Sequence, residues 1–92
     1  MNMTEAKRIY KSYKGHFFDK NTMKFFGSRI ESGLFKDYFF VTSELDFFGE
    51  KRAYTIRKFS ENYSNIENVS EFQKFGTKDE AMEFMKKVSE NY

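Results

Sequence analysis

Tyr38-Phe39-Phe40-Val41-Thr42-Ser43-Glu44, followed beyond a turn by Ala53-Tyr54-Thr55-Ile56-Arg57-Lys58-Phe59, is the stretch that decides the fold. Aromatic and β-branched residues in succession suit a pleated, half-buried backbone. The first segment is apolar on both parities and reads as a central strand, covered on at least one side by a helix. The second places Tyr54, Ile56 and Lys58 on one face and Thr55 and Arg57 on the other. Asp46 to Lys51, with Gly49, joins them as a hairpin loop. Phe47 and Phe48 stand near its tip, where side chains are usually polar.

Outward from this hairpin, Phe26, Ser28 and Ile30 alternate with Phe25, Gly27 and Arg29, which predicts a further strand with Gly27 marking a bulge or a close backbone approach. His16 to Met23 reads as a connection with Asp-Lys-Asn turn chemistry. Ile66 to Phe72 predicts a fourth, weaker strand. The ends are helical. Ala6, Ile9, Tyr10 and Tyr13 form one apolar stripe in a helix capped by Thr4 and stopped near Lys14 by Gly15. Thr77 and Glu80 have the spacing of a capping box ahead of a stripe of Ala81, Phe84, Met85 and Val88. The prediction is one domain over residues 1–92 with the order α-β-β-β-β-α. It is a two-layer α+β fold, an antiparallel sheet of three to four strands with two helices on one face and the other face open.

Composition narrows the chemistry. Thirteen Phe and six Tyr stand against two Leu, four Ile and three Val among 92 residues, so rings must build the core. Charged residues make up 33% and the mean hydropathy is −0.78. That balance alone would suggest disorder, but the ring density argues for a packed fold. Cys is absent, which excludes disulfides, thiolate zinc sites and cysteine nucleophiles. No apolar run is long enough to span a membrane and no secretory leader is visible.

Net charge is only +2, but it is unevenly spread. Residues 1–29 hold seven Lys and Arg against two acids, and residues 60–92 hold four Lys against seven acids. Lys7, Arg8, Lys11 and Lys14 cluster on the first helix, a basic face that attracts acidic surfaces.

No catalytic set, metal site or cofactor is implied. His16, three residues from Asp19, is the one imidazole, and no nucleophile is specified beside it. No glycine-rich phosphate loop is present. Aromatics interleaved with cations at 24–29 and 52–59 suit single-stranded nucleic acid, whose bases stack on rings while Lys and Arg follow phosphates. Rings also exceed what one helix-covered sheet face must bury. That surplus, with Phe47 and Phe48 at a hairpin tip, suits apolar anchors in a protein interface or a homodimer.

The segments His16-Phe17-Phe18-Asp19-Lys20-Asn21-Thr22-Met23-Lys24-Phe25-Phe26-Gly27-Ser28-Arg29-Ile30, Phe40-Val41-Thr42-Ser43-Glu44, Tyr54-Thr55-Ile56-Arg57 and Glu71-Phe72-Gln73-Lys74-Phe75 carry a resemblance over nearly the whole chain. They are similar to small proteins encoded by phages and prophages of low-GC Gram-positive bacteria, a domain without assigned chemistry. The resemblance implies a phage accessory protein acting in the host cytoplasm and brings no catalytic residues. Small phage proteins often inhibit host defences, among them anti-CRISPR proteins that bind a Cas effector. The leading expectation is therefore a non-enzymatic inhibitor that docks on a host effector, such as a CRISPR-Cas nuclease, and sterically blocks its access to nucleic acid. The alternative is a single-stranded nucleic-acid-binding accessory protein. Lys7, Arg8, Lys11, Lys14, Arg29, Phe47, Phe48 and Arg57 are the expected partner-binding residues.

Overall fold

The computed structural model describes residues 1–46 and 48–92. The central hairpin pairs β2 (Phe39–Leu45) with β3 (Arg52–Phe59) along its whole length, from Phe39 opposite Lys58 to Leu45 opposite Arg52. Two short edge strands flank it. β1 (Arg29–Ile30) pairs with β2, and β4 (Ile66–Asn68) pairs with β3, both antiparallel. The sheet order is β1-β2-β3-β4. Helices α1 (Met3–Ser12) and α3 (Lys78–Ser89) stand at the two ends. The α+β class, the antiparallel four-stranded sheet and the α-β-β-β-β-α succession are those the sequence predicts.

The layering differs from the expected one. Successive side chains of a strand point to opposite faces, and β2 divides cleanly. Phe39 and Val41 join Ile56 in a cluster with Ala81 and Met85 of α3. Phe40 joins Phe59 in a second cluster with Ala6 of α1 and with Phe17 and Phe18. The two terminal helices therefore lie on opposite faces, and neither face of the sheet is open. With few aliphatic residues available, each face is closed by its own helix and rings. Phe18 lies 6.1 Å from Phe59 and 6.2 Å from Phe40, centroid to centroid.

A third helix, α2 (Lys20–Phe26), replaces part of the expected connection and the first half of the expected strand. Gly27 is its left-handed C-cap (φ 59°), not a strand bulge. The Gly27 and Ser28 N–H groups close the helix on the Lys24 and Met23 carbonyls. The alternation around Gly27 survives only in Arg29 and Ile30. The fourth strand likewise stops at Asn68: the Val69 N–H still bonds the Ile56 carbonyl at 2.8 Å, Gln73 then turns left-handed (φ 56°), and the chain meets the sheet again in a Phe75–Tyr54 bridge. Asn2, not Thr4, caps α1, accepting from the Glu5 N–H at 2.9 Å. Thr77 caps α3 as predicted, accepting from the Glu80 N–H. Its hydroxyl in turn donates to the Glu80 carboxylate (both 3.2 Å).

Tyr63 closes the cluster below α1. It stacks on Tyr38 at 5.3 Å, and its phenol donates to the Asp37 carbonyl at 2.8 Å. Burial, with Tyr38 and Asp37 adding to it, raises its pKa above the ordinary 10.0. The folded state thus favours the neutral phenol. That contribution is complete below about pH 10 and is lost as pH rises through the raised folded value. Denaturant unfolding followed from about pH 9 to about pH 11 should show a loss of stability that Tyr63→Phe removes. At the C-cap of α2, a Cβ on Gly27 would sit 2.7 Å from Leu45 Cδ1, on a backbone that side chains rarely adopt. Gly27→Ala should cost about 1–2 kcal/mol, read as a lower urea midpoint.

Candidate functional site: a charged core beneath a ring-lined cavity

The α1 side of the sheet has two halves. Phe40 and Phe59 make the apolar half. The other half is polar. Thr42 and Glu44 of β2 lie beside Thr55 and Arg57 of β3, all four buried. Arg57 Nη2 donates to Glu44 Oε2 at 3.2 Å, Nε to Thr42 Oγ1 at 2.8 Å and Nη1 to Asn68 Oδ1 at 2.8 Å. Thr55 gives its hydroxyl proton to Glu44 Oε1 at 2.9 Å. Glu44 is fully buried and Arg57 only 8% exposed. Burial pulls the Arg57 pKa down, and Glu44 opposes that shift. The guanidinium also faces two rings, 4.6 Å from the centroid of Phe17 and 5.9 Å from that of Phe72.

Above this network lies a cavity of about 340 Å³. Phe17, Phe26 and Phe72 supply its rings, and Arg57, Asn68, Thr22 and Ser28 its polar groups. Phe26 meets Phe72 edge-on at 6.2 Å and Phe25 at 4.9 Å. Gln73 holds the far wall. Its N–H donates to Thr55 Oγ1 at 2.8 Å, and its side-chain amide donates to the carbonyls of Glu44 and Leu45, both at 3.1 Å. These bonds hold Gln73 in its left-handed backbone state and carry Phe72 over the cavity.

A second cavity, about 380 Å³, runs along α1. Lys7, Arg8 and Lys11 line it with Phe18 and Asp19. Residues three and four apart share a helix face, so these cations converge. Lys7 Nζ lies 5.3 Å from the Phe18 ring centroid. No ion pair among the described residues engages Lys7, Arg8 or Lys11. Asp19, the one acid in the lining, is 2.7 Å from His16 Nδ1. The two cavities share a wall, since Phe18 lines one, Phe17 the other, and their rings meet at 4.9 Å.

Three of the expected contact residues, Lys7, Arg8 and Lys11, are thus gathered in one place. Lys14 is exposed one residue beyond the C-cap of α1, outside that lining. Arg29 is exposed opposite Ser43, on the α3 side of the sheet, so the sheet separates it from the basic helix. Phe48 is 79% exposed in the β2–β3 turn and lines neither cavity, and Phe47 lies outside the described residues. Arg57 needs correction. Its strand position points it inward, and Glu44 on the facing strand makes it a buried half of an ion pair rather than a surface cation. Phe26 falls within the 24–29 stretch of rings and cations, whereas Phe17, Asn68 and Phe72 are not among the residues expected to bind. One signal was available: strand parity puts Arg57 and Thr55 on one face, and across the hairpin Glu44 shares that face, diagonal to Arg57.

A model for a family of unknown function, DUF7447, matches residues 2–86. The chain belongs to that family. No curated protein and no solved structure matches it. Among the described residues no cluster of three or more His, Asp or Glu could hold a metal ion, and no helix is long and apolar enough to cross a membrane.

The charged core is open to a stability test. Glu44→Ala strands a buried guanidinium and should cost about 3–5 kcal/mol. A double Glu44→Leu, Arg57→Met variant removes both charges and should lose less than Glu44→Ala alone, measured by urea unfolding at neutral pH.

Proposed function

We propose that this protein is a non-enzymatic binding module whose ligand is single-stranded nucleic acid. One observation carries the reading: a cavity lined by the cations Lys7, Arg8 and Lys11 shares its Phe17–Phe18 wall with a cavity lined by rings. Cations follow a phosphate backbone, and rings accept unstacked bases at about 1–3 kcal/mol each. A double helix keeps its bases stacked and offers nothing to a ring-lined cavity, so a single strand is the better match.

A second reading keeps the inhibitor expected from the sequence. In it a phage-encoded protein, anti-CRISPR-like in action, docks on a host effector in the cytoplasm and blocks its access to nucleic acid. The specific observation in its favour is Phe48, 79% exposed at the β2–β3 turn, where an apolar anchor would reach a protein partner. The same surface would serve a homodimer. The cavities rank the nucleic-acid reading first, because they join charge and rings in one place and Phe48 lines neither of them.

The two readings separate in a salt titration. Binding of a fluorescent single-stranded oligonucleotide should weaken with salt at a log–log slope of about −2, from about three phosphate contacts. Lys7→Glu with Lys11→Glu should flatten that slope and weaken binding at low salt. If the oligonucleotide is not bound, or is bound with no salt dependence, the nucleic-acid reading falls. A host protein retained after nuclease treatment and released by Phe48→Ala would then support the inhibitor.

A further inference from the structure

We infer that the ring-lined cavity receives one unstacked base and prefers bases whose Hoogsteen edge presents a keto oxygen (thymine O4, hypoxanthine O6) over those that present an amino group there (cytosine N4, adenine N6). The inference rests on the nucleic-acid reading above and adds a chemical preference to it.

The preference follows from the hydrogen-bond inventory of the cavity. A guanidinium has five N–H groups and no acceptor. Arg57 uses three of them, on Thr42, Asn68 and Glu44. Two remain, on a residue that lines the cavity. The Asn68 oxygen accepts from Arg57, so the amide offers its NH₂, and that group has no partner among the described residues. The Thr22 and Ser28 hydroxyls can donate or accept, so they do not set the sign. The fixed polar groups are therefore donors. Glu44, the carboxylate paired with Arg57, does not line the cavity, is fully buried and is occupied by Arg57 and Thr55.

On the Hoogsteen edge thymine offers O4 and hypoxanthine O6 and N7, acceptors that meet these donors. An exocyclic amino group there would set donor against donor, most costly at Arg57, which is 8% exposed, and less so at Asn68, which is exposed. Arginine pairs with the keto edge of guanine for the same reason. The ring walls give affinity to any base and leave the choice to the polar floor.

The test compares short homopolymers within each ring class at one salt concentration. These are oligothymidylate against oligocytidylate, and oligodeoxyinosinate against oligoadenylate. The keto member of each pair should bind about tenfold tighter. Asn68→Asp replaces the donor amide by an acceptor yet still takes the bond from Arg57, so the fold is kept, which the thermal midpoint checks. It should erase the preference. Phe72→Ala, at a ring 46% exposed, should weaken all four by about tenfold and leave the salt slope unchanged. Equal binding of keto and amino members overturns the inference while the nucleic-acid reading stands. Binding of none of the four overturns both. Occupation of the cavity by a phenylalanine-bearing acidic peptide, with no oligonucleotide bound, makes it a peptide site and also overturns the inference.

Discussion

The Arg57 guanidinium is held by Thr42 and Glu44 on the facing strand, by Asn68 on the neighbouring strand and by the ring of Phe17 in front. It links β2, β3 and β4 on one face and supports the segments that wall the cavity. Taking a carboxylate and a guanidinium out of water costs several kcal/mol per ion, and their attraction recovers this only where every polar atom finds a partner. Here they do, since no buried side-chain nitrogen or oxygen among the described residues lacks one. The position of Gln73 follows from the same network. Its N–H bonds Thr55, whose own hydroxyl proton goes to Glu44, so the path of the chain after β4 is tied to the ion pair.

The two faces of the sheet divide the work between them. On the α3 side, Val41, Ile56, Ala81 and Met85 are fully buried and apolar. Such a cluster supplies stability without directional demands. On the α1 side a 92-residue chain with little surface to bury gives half a face to charge. An apolar replacement of similar volume would often be as stable or more so. A buried pair that opens on a ring-lined cavity on one side and is locked by the sheet on the other is a rigid donor platform. Its side chains lose little entropy when a ligand arrives, which lowers the cost of binding.

Much of the fold was legible in the sequence, for a physical reason. The β2–β3 hairpin and α3 carry strong periodic patterns, and their pairing needs no distant information. The layering was not legible. Alternation shows that Phe39 and Phe40 point to opposite faces, but which helix covers each depends on contacts far apart in sequence. The α2 region failed for another reason. Phe25-Phe26-Gly27-Ser28 alternates well enough for a strand, while Gly27 is equally good as a left-handed cap, and the close approach of Leu45 settles the choice. For the site, the convergence of Lys7, Arg8 and Lys11 follows from helix periodicity alone. The burial of Arg57 does not, because a cation on a strand is exposed or paired according to what lies across the hairpin and above it.

The surplus of rings takes on a different meaning once both faces are covered. If one face had been open, the extra phenylalanines would have formed a broad apolar patch, the mark of a protein interface. Instead Phe17, Phe40 and Phe59 are used in packing, while Phe25, Phe26 and Phe72 remain together and exposed at one cavity mouth. That concentration at the one place where a buried cation comes near the surface is hard to account for by packing, since none of the three joins either core cluster. Packing needs would scatter exposed rings, whereas a binding site gathers them around the groups that give orientation. The gathering of rings above Arg57 and the cations across the Phe17–Phe18 wall therefore argue for one composite surface, in which charge draws the ligand in and the rings and donors select what stays.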